Sequence, residues 1–88
     1  MFGLFKKSFE SEMAEYDKQA RDIGKKYGCD DPMNFMINVM TDPARMKAYD
    51  RDMTAMLKGR IACCIKHKRD AERVKHEKSL ATHRSMYG

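Results

Sequence analysis

Residues 8–28 read SFESEMAEYDKQARDIGKKYG, and their spacing decides the fold class. Phe9, Met13, Tyr16, Ala20, Ile23 and Tyr27 recur at intervals of three or four, a series that extends back to Phe5 and Phe2. At 3.6 residues per turn these positions share one stripe, the pattern of an amphipathic helix with one buried face. Glu15, Lys18, Asp22 and Lys25 occupy the other side. Ser8 is a natural N-cap, and Gly28 stands where a left-handed C-cap belongs, after Lys25 and Lys26. The spacing predicts a first helix over about residues 8–27.

Two Asp-Pro pairs follow, Asp31-Pro32 and Asp42-Pro43. Aspartate accepts hydrogen bonds from free N–H groups at a helix start, and proline at the first helical position gives up an N–H that had no partner anyway. Each pair therefore opens a helix. The first, over residues 32–40, is short and apolar on most sides and is expected to be buried. The second continues as Met46, Tyr49, Met53, Met56, Leu57, Ile61 and Cys64, giving a helix over about 43–65 with Gly59 as its weak point, at about 1 kcal/mol against alanine. The run from Asp31-Pro32 to Leu57, rich in methionine, resembles the Asp-Pro helical modules of co-chaperones over less than a third of the chain. The likeness rests on cap chemistry, and no function is carried across from it.

The expected fold is all-α: a small three-helix unit of antiparallel long helices bridged by the short helix. The long helices match in length, about 30 Å each at 1.5 Å per residue. After Ile65 the stripe thins to His67, Ala71, Val74, Lys78 and Ala81. The chain thus divides into a helical core over residues 1–65 and a basic helical extension over 66–88, which has no matching apolar partner in the chain. That extension projects, frays, folds back or meets another molecule.

The 88 residues carry a formal charge of +5, unevenly placed. Residues 1–57 hold 9 Lys+Arg against 10 Asp+Glu, and residues 58–88 hold 9 against 3. Lys58, Arg60, Lys66, Lys68, Arg69, Arg73, Lys75, Lys78 and Arg84 would each suit a phosphate oxygen, which makes nucleic-acid binding the alternative function. Against it, Lys66–Asp70, Lys68–Glu72 and Arg73–Glu77 are spaced to pair along one helix, and Tyr87 is the only aromatic side chain in this half. The apolar-then-basic start, Phe2 to Lys7, suits peripheral membrane contact as a minority reading. Phe5 and Phe9 fit the core stripe better.

Cys63, Cys64 and His67 are the one group with ligand chemistry. Cys63 and His67 lie four apart on one helical face, but structural zinc takes four ligands, and Cys29 falls far away in an antiparallel pairing. Metal binding by Cys63 and His67 is therefore a minor reading beside a buried thiol at Cys64, and no cofactor is expected. His76 and His83 are seven apart, too far to share an ion, and read as surface histidines. The sequence holds no Gly-rich phosphate loop, nucleophile elbow or His-Glu-x-x-His helix, so an enzyme is not expected. An odd number of cysteines, two of them adjacent, and the lack of a secretory pattern point to a cytoplasmic protein.

Nine methionines remain, six of them between Met33 and Met56. Methionine fills irregular cores and equally suits adaptable binding surfaces. Three helices of this size carry more apolar surface than one thin core uses, and Met33 and Ile37 lie off the face marked by Phe35, Met36, Val39 and Met40. The expected function is a non-enzymatic interaction module that binds a protein partner or a second copy of itself, with Met33, Ile37, Met40, Met53 and Met56 as its candidate contacts.

Overall fold

In a computed structural model, which describes residues 8–87, the chain folds as a small helical bundle. Helix α1 spans Phe9–Tyr27, α2 Pro32–Phe35, α3 Pro43–Lys66 and α4 Asp70–Tyr87, and a five-residue π-turn, Met36–Met40, continues α2. The expectations that fall on Phe2 to Lys7 lie outside the described residues.

The caps are those the sequence announces. The Ser8 side chain accepts from the Ser11 N–H, the Asp31 carboxylate from Met33 and Asn34, and the Asp42 carboxylate from Ala44 and Arg45. Gly28 ends α1 in the left-handed region at φ 66°, where a Cβ would be strained. The next N–H, from Cys29, donates back to the Gly24 carbonyl at 2.9 Å.

Helices α1 and α3 run antiparallel, as three polar pairs along their length record. Tyr27 faces Asp52, Asp17 faces Arg60, and Glu12 faces Lys66. Gly59 sits where the two helices come close: a Cβ there would stand 2.9 Å from Tyr16 Cζ and closer still to Cε1. The position that costs helix propensity is the one that admits the Tyr16 ring. The core gathers Ile23, Tyr27, Val39, Tyr49, Met56 and Leu57, with Ala20, Phe35, Met46, Met53 and Leu80 packed around it. The rings of Tyr27 and Phe35 both meet that of Tyr49 edge-on, at 5.3 and 4.9 Å. Aromatic pairs prefer this arrangement because a positive ring edge meets a negative face.

The extension folds back. Helix α3 stops at Lys66, Lys68 takes φ 56°, and α4 returns along α3. Lys68 N–H donates to the Ile65 carbonyl and Arg69 N–H to that of Cys64, the paired bonds that close a helix with a left-handed residue. This break separates Lys66 from Asp70, so the expected pair between them gives way to Lys66–Glu12, whereas Arg73–Glu77 forms at 2.5 Å. Folding back also buries His76 and His83, in place of the surface positions their spacing suggests. His83 Nε2 donates to Asp50 Oδ1 at 2.8 Å, and its ring lies 5.8 Å from that of Tyr49. Burial pushes the His76 pKa down, and the Arg60 and Lys75 charges add to that effect.

Helix α2 and the π-turn are less buried than expected. Phe35 and Val39, four apart, turn inward, with Val39 fully buried. The rest of the segment stands outward, because only the side that carries Phe35 and Val39 meets the core.

Candidate functional site

The outward side of the 32–40 segment is the first candidate. Met33, Met36, Ile37 and Met40 are 47% to 61% exposed, and no charged residue occurs from Pro32 to Met40. The segment is held stiffly for so short a piece. Asp31 caps its start, Asn38 Nδ2 donates to Asn34 Oδ1, and Thr41 Oγ1 donates to the Ile37 carbonyl. Arg45 Nη1 also donates to the Asn38 carbonyl at 3.3 Å. Phe35 and Val39 anchor it to the core from below. Positions 33, 36, 37 and 40 follow the i, i+3, i+4, i+7 spacing of one helical stripe, so four large apolar side chains share the outward side.

Of the five contact residues expected from sequence, Met33, Ile37 and Met40 belong to this face. Met56 does not: it is buried in the core between α3 and its neighbours and presents nothing to a partner. Met53 is half-buried against the same core. Both continue the stripe of α3 that α1 and α4 cover. Met36, which the spacing groups with Phe35, Val39 and Met40, stands outward together with Met40, on the side of Met33 and Ile37.

The basic residues separate into two groups. Arg60 pairs with Asp17 at 2.8 Å, Lys66 with Glu12 at 2.6 Å, Arg69 with Glu10 at 3.6 Å, and Arg73 with both Asp70 and Glu77. The Arg69 guanidinium also lies over the Phe9 ring, 4.8 Å from its centroid. Arg60, Lys66 and Arg69 link the later part of the chain to α1, Arg73 pairs within α4, and part of the charge of all four is neutralised where it stands. Lys58, Lys68, Lys75 and Lys78 are exposed and have no ion pair among the described residues.

The second candidate lies at the opposite end of the bundle. The antiparallel pairing brings Glu12, near the start of α1, against Cys63 and His67 at the end of α3. One ligand-type atom from each falls within 4.8 Å of the other two. The Cys63 thiol donates to Glu12 Oε2 at 3.4 Å, and His67 Nε2 is hydrogen-bonded to that same oxygen. Glu12 Oε1 is left to the Lys66 ammonium. With Lys66 and His67 as its strongest partners, the Glu12 carboxyl is held down at about 2. Burial and the adjacent carboxylate push the Cys63 thiol up to about 11. Glu12 is the member that sequence reasoning missed, since it is 51 and 55 residues away from its partners. Its position between Phe9 and Tyr16, at the edge of the stripe, was the available signal.

A shallow groove of about 660 Å³ also runs along α3, floored by Ala44, Ala48 and Ala55 with Lys47, Arg51 and Lys58 at its rim. No helix among the described residues is long and apolar enough to cross a membrane. Comparison with family models, with curated proteins and with solved structures finds no match to this chain.

Proposed function

We propose that the protein is a non-enzymatic interaction module that self-associates through the face made by Met33, Met36, Ile37 and Met40. The observation that carries this reading is the placement of four neighbouring large apolar side chains in water on a capped, anchored segment without charge. Single exposed hydrophobes are ordinary on protein surfaces, whereas contiguous ones mark contact surfaces.

The chemistry of the patch favours a second copy as the occupant. A two-fold contact sets one surface against itself, so any charge in it meets its like. A charge-free apolar patch is its own complement. Thioether side chains add to this, because they repack against one another without a fixed partner shape. The patch alone is smaller than the roughly 800 Å² per partner of a standard interface, so the association belongs at the weak, reversible end.

Sedimentation equilibrium over a wide concentration range tests the proposal. The wild-type chain is expected to move from monomer toward dimer as concentration rises. The double variant Met33→Lys, Ile37→Lys, whose substituted side chains are exposed, is expected to keep its helical circular dichroism and remain monomeric. A wild-type chain that stays monomeric up to millimolar concentration, or a double variant that dimerises equally well, overturns it.

A further inference from the structure

We infer that Glu12, Cys63 and His67 form a binding site for one zinc ion. Thiolate, imidazole and carboxylate are the three protein ligand types that Zn²⁺ accepts, and this combination of soft and borderline donors selects it over magnesium or calcium. In a tetrahedral zinc sphere with bonds of about 2.0–2.3 Å, neighbouring donor atoms lie roughly 3.3–3.6 Å apart. The three donors here are already within 4.8 Å of one another and come from two helices whose register is fixed along their length. Closing the set therefore takes side-chain adjustment and no change of fold.

The division of labour within Glu12 strengthens the assignment. Its Oε2 faces Cys63 and His67, while Oε1 is held by Lys66 at 2.6 Å. Lys66 therefore orients the carboxylate without occupying the ligating oxygen, the arrangement that fixes ligating carboxylates in metal sites. The positions now bridged by hydrogen bonds around Oε2 are those that a cation would bridge instead. On binding, the Cys63 thiol gives its proton to solvent and its sulfur electron pair to zinc, and the proton between His67 Nε2 and Glu12 leaves Nε2, the ring keeping one proton on Nδ1, so that the Nε2 lone pair is free to ligate. A cavity of about 240 Å³ adjoins the site, bordered by Glu12, Glu15, Tyr16, Ala62, Cys63 and Lys66. It leaves room for a water molecule as fourth ligand.

The site lies at the far end of the bundle from the Met33–Met40 face, so the two readings stand or fall separately. Cobalt(II) alone is the probe, since a cobalt–thiolate bond gives an intense near-ultraviolet charge-transfer band. The chelator-stripped full chain, kept reduced, is titrated with Co²⁺ and then with Zn²⁺. The band is expected to saturate at one equivalent of Co²⁺ and to vanish when one equivalent of Zn²⁺ is added. Cys29→Ser is expected to retain the band and Cys63→Ser to lose it. Glu12→Gln is expected to weaken binding at least tenfold, and His67→Gln serves as the second ligand variant if Cys63→Ser proves unfolded by circular dichroism. Absence of the band up to millimolar Co²⁺ overturns the site. So does a band that survives in both folded ligand variants, or one lost in Cys29→Ser.

Discussion

Replacing Gly59 with alanine sets two effects of opposite sign against each other. In a helix interior, alanine is favoured over glycine by about 1 kcal/mol. In this bundle the added Cβ would stand 2.9 Å from Tyr16 Cζ and closer still to Cε1, so the ring or the helix must move. Tyr16 is half-buried between α1 and α3, and forced overpacking of this kind typically costs about 1–3 kcal/mol. Taking the middle of that range, Gly59→Ala should destabilise the chain by about 1 kcal/mol net. For a domain of this size that corresponds to a fall in Tm of about 4–8 °C. Urea and thermal melts followed by circular dichroism measure it. The decisive comparison is the same substitution in a Tyr16→Ala background. There the clash is gone and only propensity remains, so Gly59→Ala should stabilise by about 1 kcal/mol, a reversal of sign and a coupling of about 2 kcal/mol. If Gly59→Ala stabilises the wild-type chain by the full propensity difference, the two helices do not approach at that point. The register that brings Glu12 to Cys63 would then be wrong as well.

Two further outcomes follow from the fold-back of α4. Lys68 holds φ 56°, a conformation that costs an L-residue about 1–2 kcal/mol and glycine little, so Lys68→Gly should raise the urea midpoint. A lowered midpoint would mean that the α3–α4 turn is not closed in this way. His76 has its pKa lowered by burial, with Arg60 on α3 and Lys75 beside it opposing its charge and Asp17 on α1 and Glu72 favouring it. The unfolded chain therefore takes up this proton first. The stability contributed by neutral His76 is present above the ordinary histidine pKa of 6.5 and is lost as pH falls below it. Urea midpoints at about pH 7.5 and about pH 5 should differ more for the wild-type chain than for His76→Gln, and equal differences would contradict the burial.

How much of this was legible in the sequence depended on whether the signal was local. The stripe from Phe9 to Tyr27, the Gly28 cap and both Asp-Pro starts act within a turn or two, and each element begins or ends within a residue or two of its expected boundary. The α3–α4 turn left no such mark. A lysine rather than a glycine takes the left-handed position, and it is the residue type that a solvated helix would carry anyway. Once that turn went unread, α4 had no visible partner, and His76 and His83 looked like surface groups. The site residues divide along the same line. Met33 and Ile37 are recognisable from spacing as lying off the side of Phe35 and Val39, whereas Met53 and Met56 sit on the apolar stripe of α3, which the core uses. Met36 and Met40 share a side with Phe35 and Val39 in the spacing, and the fold turns both outward with Met33 and Ile37. Glu12 needed the register of two helices more than 50 residues apart.

Methionine oxidation measured by mass spectrometry at low and high protein concentration tests self-association most directly. Peroxide converts exposed thioethers to sulfoxides, so covering a methionine slows it. Met13, half-buried on α1 beside Glu12 at the other end of the bundle, serves as the internal standard. Self-association through the 32–40 segment predicts that Met33, Met36 and Met40 slow several-fold relative to Met13 as concentration rises. Rates that keep the same ratio to Met13 from dilute to concentrated protein would contradict it.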